Sequence, residues 1–512
     1  MTILYCGTLR RTALSAAMSM ALAGSLAAAT IQVNDAGEFP VAGKCTALDA
    51  VAALNSRVAV NACLAGDGND DTIDFSFFTA PSTISFSTLP AGGMSALVLT
   101  RPATLRGPLD GSGNPLVTIA RNTAAGTPNF RVLESSQDLS LQGLAISGGV
   151  AADNGGGVFV SDHGNLAIDR SVISGNTAAT SGGGAATNCG VVTLTGSRVS
   201  GNTAGRNGGG IYTAVAEYSL HNGRCFGDVT AVRSVVSGNT ATTGNGAGIY
   251  MFKGYLITDH VTVDSNTAQA GSAGGIFTYG VVLLAATSVS GNTSHGDGGG
   301  LNARLSSVYD STLANNTSVA GKGGAIYTDN YFRLINSTVN GNSAVNGGAS
   351  SALTAKVTAS TISGNHATVS HDGLWFPASG AGMSAYSSIL TGNGSDDIAA
   401  AQAFSMGASS SGNIIGHLSN VTAPAGTLNC DAKLGTLADN GGPTKTMALG
   451  SGSCAIDAAT PTPITLGSDQ RGNAFARKVG SKADIGAFET QAAGERIFYG
   501  GFETGTGPGF FQ

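Results

Sequence analysis

The residues of this chain that could do chemistry are a few acids and histidines in a sequence with only 11% charged residues. Asp259 and His260 are adjacent and offer a carboxylate beside an imidazole, a pairing suited to proton transfer. A polysaccharide lyase needs such a base, often with Ca²⁺ held by clustered carboxylates. A glycoside hydrolase needs two or three carboxylates converging on one groove. Asp259 and His260 are therefore the catalytic candidates.

Convergence of this kind is not evident around Asp259 and His260, because neighbouring repeats offer no matching acid. The other acids are better read as turn residues: Asp297 beside His295 in a glycine turn, and the pairs Asp70-Asp71 and Asp396-Asp397. Those two pairs could alternatively touch Ca²⁺. The sequence predicts no catalytic residue beyond the candidates, no metal site and no cofactor other than Ca²⁺.

Aromatic residues recur near glycine clusters and suggest a binding role instead. Tyr212, Tyr250 and Tyr327, with Phe277, could stack on sugars, or could pack inward. The partner expected is a glycan or a surface protein. The net charge of −6 argues against nucleic acid, which requires basic clusters. We expect a monomer.

A repeat positions all of these residues. The phrase Ser-Gly-Asn-Thr and its degenerate copies recur about every 26 residues, with one longer interval of 37. An aliphatic residue stands three positions before each asparagine, a serine is frequent five positions before it, and a glycine cluster follows it. The asparagines of this column are Asn176, Asn202, Asn239, Asn266, Asn292, Asn316, Asn342, Asn365 and Asn393.

Each repeat holds two or three short β-branched runs separated by Gly and Asn turns, with no helical period. A single run cannot bury its apolar face alone. Stacked coils solve this, since each strand pairs with the same strand one coil on, about 4.8 Å away. The sequence therefore predicts an all-β parallel β-helix, with one chain winding through about 12 coils. Its interior would be lined by aliphatic columns and one turn by stacked asparagine amides.

The cysteines form three local pairs once Cys6 is removed with the N-terminal segment. We expect disulfides Cys45–Cys63, Cys189–Cys225 and Cys430–Cys454. The middle pair follows from the repeat, because an insertion near residues 215–223 returns Cys225 to the column of Cys189. Adjacent coils are close enough for a bridge. Two free buried thiols are the alternative.

The first 29 residues have the features of a signal peptide: Arg10 and Arg11, a short alanine-rich apolar run, and small residues at 27–29. A membrane anchor is the alternative, although the run is short for a span. We therefore expect an exported protein, extracellular or at the cell surface, where association with the outer membrane would be one location. The mature chain is expected to have no transmembrane segment.

The repeats resemble those of polymorphic outer membrane proteins, which pair a Gly-Gly-Ala-Ile motif with a short motif ending in Asn. Here these read Gly323-Gly-Ala-Ile326 and Val289-Ser-Gly-Asn292. The resemblance covers about residues 130–400 and implies a right-handed, passenger-like and extracellular β-helix. Barrel-forming strands of the autotransporter type are not evident after the repeats, which puts self-translocation in doubt.

A second resemblance lies near the C-terminus. Asn440-Gly-Gly-Pro-Thr444, Ala455-Ile-Asp-Ala458, Asp469-Gln-Arg-Gly472 and Ala483–Glu489 follow one another in the order of the choice-of-anchor Q domain. That domain closes β-helical surface proteins, so the resemblance implies a cap. Asp469, Arg471, Asp484 and Glu489 could form a polar network there, with capping favoured over catalysis.

The expected organisation has five parts: a signal peptide at 1–29, an N-terminal cap with the first strands at 30–94, the β-helix at 95–428, the choice-of-anchor Q-like cap at 429–490 and a tail at 491–512. We expect a cell-surface or secreted scaffold, non-catalytic, with adhesive or glycan-binding properties. The alternative is a polysaccharide lyase or glycoside hydrolase on a pectate lyase-like β-helix. A structural protein without a specific ligand is a third reading.

Overall fold

A computed structural model describes residues 28–68, 70–89, 93–214 and 227–491. The expected signal peptide at 1–29 and tail at 491–512 therefore lie almost wholly outside the described residues, as does Cys225. Within the described parts, the chain forms short strands joined by tight turns, and one α-helix, α1 (Ala47–Ser56).

The main sheet, in the described residues, has 24 strands and receives two strands from most coils. Its strands are β1 (Thr30–Gln32), β2 (Asp71–Asp74), β4 (Ser95–Leu99), β5 (Ala103–Arg106), β7 (Arg131–Ser135), β8 (Leu139–Gln142), β11 (Val158–Val160), β12 (Leu166–Asp169), β15 (Ala185–Asn188), β16 (Val192–Thr195), β19 (Ile211–Ala214), β20 (Val229–Val232), β23 (Ile249–Met251), β24 (Tyr255–Asp259), β27 (Ile276–Ala285), β30 (Leu301–Tyr309), β33 (Ile326–Tyr327), β34 (Tyr331–Ile335), β37 (Ser350–Ser351), β38 (Thr354–Thr358), β41 (Leu374–Phe376), β42 (Gly382–Tyr386), β44 (Ile398–Ser405) and β46 (Leu418–Thr422).

A second sheet has 13 strands over the same part of the chain. They are β3 (Ser82–Phe86), β6 (Val117–Arg121), β9 (Leu144–Ser147), β13 (Val172–Ser174), β17 (Arg198–Ser200), β21 (Val235–Ser237), β25 (Thr262–Asp264), β28 (Ser288–Ser290), β31 (Thr312–Ala314), β35 (Thr338–Asn340), β39 (Thr361–Ser363), β43 (Ile389–Leu390) and β45 (Ile414–Ile415).

Among the described residues, a third sheet of nine short strands forms the remaining side of the coils between Val150 and Ser370, and one antiparallel pair lies in the C-terminal region. The third sheet holds β10 (Val150–Ala151), β14 (Thr177–Ala178), β18 (Thr203–Ala204), β22 (Thr240–Ala241), β26 (Thr267–Ala268), β29 (Thr293–Ser294), β32 (Thr317–Ser318), β36 (Ser343–Asn346) and β40 (His366–Ser370). The antiparallel pair is β47 (Leu434–Ala438) with β48 (Thr446–Leu449).

The interior is one continuous apolar column, as the repeat predicts. Val199, Val236 and Val263 pair in parallel register on successive coils, and all three are fully buried. The same core cluster extends from Ile31 to Ile415. The chain is thus an all-β parallel solenoid of about 11 turns, close to the expected 12, which confirms the fold class. The right-handed winding remains a prediction.

The asparagine column forms an unbroken hydrogen-bonded ladder through the buried turn. Each side-chain Oδ1 accepts both the backbone N–H and the Nδ2 of the asparagine one coil earlier, at 2.8–3.1 Å, and Asp397 ends the series. Each Nδ2 also donates to the carbonyl of the aliphatic residue on the previous coil; Asn239, for example, donates to Val199 at 3.0 Å. The ladder therefore satisfies polar groups that water cannot reach.

The glycine cluster packs directly against this ladder. A Cβ at Gly183 would lie 2.4 Å from the Thr203 carbonyl oxygen and 2.5 Å from that of Gly209. Its neighbour Gly182 has a φ of +69°. A side chain is excluded at Gly183 because there is no space for it, and it is disfavoured at Gly182 because the backbone there is left-handed. Coils therefore stack closely only where glycine occupies this turn.

A serine column lines the corner between the main and second sheets. Ser197 accepts the backbone N–H of Ser171 at 3.1 Å, and Ser234 accepts that of Ser197 at the same distance. The residue just before this column has a left-handed backbone, as at Arg170 and Arg233, and also at His260, where the column residue is Val261. This conformation turns the strand sharply, so the serine preference found in the repeat has a structural cause.

One disulfide closes a local loop near each end of the described part of the chain. Cys45–Cys63 and Cys430–Cys454 form as predicted, with Cα separations of 4.8 and 6.5 Å. Cys225 lies outside the described residues, so the Cys189–Cys225 bridge remains a prediction. Helix α1 packs against β1, β2 and β4, and its Asn55 Oδ1 accepts the N–H of Thr100. That the ends are closed by caps, and where the domain boundaries fall, remain predictions.

We expect Asn266→Ala to lower the free energy of unfolding by about 3 kcal/mol, because it leaves the amide groups of Asn239 and the Val236 carbonyl without their buried partners. Guanidinium denaturation followed by circular dichroism measures the loss. Asn473→Ala, at an exposed turn, is the control. Equal denaturation midpoints for the two variants would contradict a stabilising ladder.

Candidate functional site

Asp259 and His260 lie at the corner where β24 ends. The His260 Nδ1 is 2.9 Å from Asp259 Oδ1, and both side chains are about half exposed. His260 occupies the left-handed corner position, which projects its ring into solvent. The corner residues on the adjacent coils are Arg233 and Ala286, so within the described residues no second carboxylate is placed beside them in this column. Among the described residues of this column, the pair has an acid and a base but no converging partner.

Asp71 and Asp397, near opposite ends of the solenoid, accept hydrogen bonds from neighbouring amide groups. Asp71 accepts the N–H groups of Ala29, Asp67 and Gly68. Asp397 accepts both amide groups of Asn393 and the N–H of His417. Carboxylate oxygens occupied in this way act as structural acceptors. In the described part of the chain, no three His, Cys, Asp or Glu side chains are grouped to hold a metal ion.

The predicted sugar-stacking aromatics form one column on the outer face of the main sheet. Tyr212, Tyr250 and Phe277 pair in register and stack, with ring centroids 5.4 and 5.3 Å apart. Tyr250 and Phe277 are buried, and burial raises the pKa of the Tyr250 phenol well above its ordinary value. Because each ring covers the face of the next, this stack presents little ring face to a ligand. Tyr327 lies in the same column, two coils beyond Phe277 and separated from it by Asn302.

An exposed aromatic patch lies beside that stack and consists of Phe252, Tyr255, Ile257 and Tyr279. Tyr255 is 54% exposed, Tyr279 53% and Ile257 42%. The Tyr279 ring meets Phe252 and Phe277 edge-on at 5.7 and 5.1 Å, and Lys253 lies over the Phe252 ring. The sequence reasoning missed Tyr255 and Tyr279, because outward positions carry no periodic signal.

A second unpredicted cluster joins two later coils. The only tryptophan, Trp375, stacks on the His371 ring with centroids 3.8 Å apart. His371 Nδ1 is 3.2 Å from Asp396 Oδ2 on the following coil. This contact gives Asp396 a role that its place in the sequence does not reveal.

The C-terminal motifs form a compact buried polar network. The Arg471 guanidinium donates to Asp469 Oδ2 and to the Glu489 carbonyl, both at 2.6 Å, and lies between the rings of Phe475 and Phe488. Glu489 in turn accepts the N–H groups of Val479 and Asp484 at 2.8 Å. The expected network of Asp469, Arg471, Asp484 and Glu489 is therefore present.

This network is docked on the flank of the second sheet. Gln470 accepts from the Thr338 hydroxyl at 2.6 Å and donates to the Thr312 hydroxyl at 2.8 Å. The Ala487 N–H donates to the Thr361 hydroxyl at 3.1 Å. These threonines begin β31, β35 and β39, so one segment is attached to three successive coils.

The pKa of Glu489 is raised to about 7, chiefly by burial and to a lesser extent by the charge of Asp484. The two N–H bonds to its carboxylate and the charge of Arg477 oppose this shift. Burial also raises the pKa of Asp469, against the opposing charge and hydrogen bonds of Arg471. The contacts of this network attach the C-terminal segment to the solenoid.

Known proteins resemble part of this architecture. The model of the Chlamydia polymorphic membrane protein repeat matches residues 196–214 and 310–329. Both matched segments run from the serine corner through the asparagine turn and the glycine cluster into a main-sheet strand. A search of the curated proteins found no match. The repeats and the solenoid fit a surface-associated β-helical scaffold, and together with the two disulfides they suggest a protein that is exported or at the cell surface.

No helix in the described residues has the length and apolar character needed to cross a bilayer.

We expect Glu489 to make stability depend on pH. Its pKa is higher in the folded chain, at about 7, than the ordinary 4.5, so folding binds a proton between these values. Its contribution is fullest below pH 4.5 and is lost as the pH rises to about 7. The unfolding temperature, measured from pH 4.5 to 8, should fall less with rising pH for Glu489→Gln than for the unsubstituted chain. Asp439→Asn, at an exposed site in the same region, should leave the slope unchanged. Parallel curves for all three proteins would refute the assignment.

Proposed function

We propose that this chain is a cell-surface scaffold that adheres to glycans through the aromatic patch of Phe252, Tyr255, Ile257 and Tyr279. The observation that carries the proposal is the half-exposure of two tyrosines and an isoleucine on two adjacent coils. Large apolar side chains clustered on an otherwise polar surface mark interaction sites.

Sugar chemistry suits this patch better than an apolar partner does. Tyrosine rings present a face to the C–H groups of a sugar, and their hydroxyls remain available for hydrogen bonds. Lys253 adds N–H donors at the edge of the patch, over the Phe252 ring. Tyr279 packs edge-on against Phe252 and against Phe277 of the adjacent stack, so less ordering entropy is lost when this ring binds a ligand.

Catalysis by Asp259 and His260 is the competing function, because their side chains are in contact and open to solvent. The patch favours binding, because a catalytic groove would require further charged groups facing this pair.

Replacing the two exposed rings, in Tyr255→Ala/Tyr279→Ala, should weaken glycan binding about tenfold or more, since each aromatic contact contributes about 0.5–1.5 kcal/mol. A glycan array identifies the ligand, and titration calorimetry measures the two affinities. Phe77→Ala removes an equally exposed ring (54%) near the N-terminus and serves as the control. A uniformly negative array would contradict the proposal, as would equal affinities.

Incubation with pectin or alginate should release no unsaturated product, measured by ultraviolet absorbance. If absorbance rises and Asp259→Asn abolishes the rise, the chain is a lyase and the scaffold proposal is wrong.

A further inference from the structure

A cavity of about 460 Å³ lies where the C-terminal segment meets the solenoid. Ser387, at a corner of the solenoid, forms one side, and residues 459–466 and 477–483 form the rest. The Ser387 hydroxyl donates to the Thr460 carbonyl at 2.8 Å and accepts the Thr460 N–H at 3.1 Å, which fixes the two parts together. The volume is in the range of small-ligand sites.

Among the described residues, the lining of the cavity includes three cations, Arg477, Lys478 and Lys482, and no acid, while Asp457 beside it accepts the backbone N–H groups of Ser481 and Lys482. Like charges placed together cost free energy unless an anion joins them. The lining therefore favours an anionic occupant.

Arg477 is the buried member of this group. It is 7% exposed, its Nη2 donates to the Asp484 carbonyl at 2.8 Å, and its Nη1 has no hydrogen-bond acceptor in the described part of the chain. A buried donor without an acceptor is costly, more so when it carries charge. Burial lowers the pKa of Arg477, while the charges of Glu489, Asp469 and Asp484 support its protonated form. Nη1 itself has almost no accessible surface, so an anion in the cavity would compensate the charge of the Arg477 guanidinium rather than accept a hydrogen bond from Nη1.

The remaining lining sets the size and kind of ligand. Hydroxyls of Thr462, Thr465 and Ser481 alternate with the apolar side chains of Pro461, Ile464 and Leu466. Such a mixture complements a pyranose, which has hydroxyls at its edge and C–H groups on its face. Cations added to this surface complement a carboxylate on the sugar.

We propose that this cavity binds an acidic sugar, a uronate, whose carboxylate is held by Arg477, Lys478 and Lys482. The site is separate from the aromatic patch and does not depend on it. Because the cavity has walls from both the solenoid and the C-terminal segment, a bound uronate also stabilises their attachment.

The test uses the purified full chain with galacturonate and glucuronate, followed by titration calorimetry and thermal unfolding. Uronate should bind and raise the unfolding temperature. Lys478→Gln/Lys482→Gln, at exposed positions that leave the core unchanged, should weaken binding about tenfold and abolish the thermal shift. Lys445→Gln, an exposed lysine outside the cavity, should change neither.

Three outcomes would overturn the proposal. These are no uronate binding, an unchanged uronate affinity in Lys478→Gln/Lys482→Gln, or affinities for galactose and inorganic sulfate equal to that for uronate. Tyr255→Ala/Tyr279→Ala should retain uronate binding at this cavity. That variant distinguishes a failure of the cavity from a failure of the glycan proposal for the patch.

Discussion

In-register stacking of successive coils is the constraint on which the rest of this structure depends. The backbone N–H and C=O groups of each strand form hydrogen bonds with the strands on the coils before and after it. A polar group at the buried turn must therefore also pair with a residue one coil away. Asparagine meets this need, because the side chain of Asn202 accepts from Asn176 on the preceding coil and donates both to the Ile173 carbonyl and to the Asn239 side-chain oxygen. Glycine at Gly183 is the counterpart, since only a missing Cβ allows the turns to approach this closely.

The same constraint leaves the outer face free to vary. Inward positions of the main sheet such as Ile249, Ile276 and Leu301 must remain aliphatic, whereas the adjacent outward column changes from Tyr250 to Phe277 to Asn302 without disturbing the register. Local chemistry can therefore differ from coil to coil on a uniform frame. An aromatic patch, a His371–Asp396 contact and a docked segment lie on one solenoid for this reason.

Sequence periodicity accounts for what could be predicted. The aliphatic and asparagine columns recur, so their register and burial follow from the spacing of residues such as Asn202 and Asn239. The exposed Tyr279 has no periodic counterpart, and nothing in the sequence distinguishes it from an inward ring. Nor does repetition reveal lateral contacts: Gln470 meets Thr338 across 132 residues of sequence. The C-terminal motifs were visible as motifs, but the sheet on which they dock was not.

The repeats and the C-terminal segment differ in how often they bury charged side chains. Along the repeats, buried polar groups are mainly neutral amides and hydroxyls, which stacking can satisfy without desolvating an ion; Arg131, fully buried and paired with Glu134 and Asp153, is an exception in an early coil. The C-terminal segment instead buries Arg471 with Asp469 and places Arg477 near Glu489. Ionic groups buried in this way are destabilised if they lose a partner, and their contacts are directional. Such a network positions the segment on one set of threonines, and that fixed position is what creates the cavity beside Ser387.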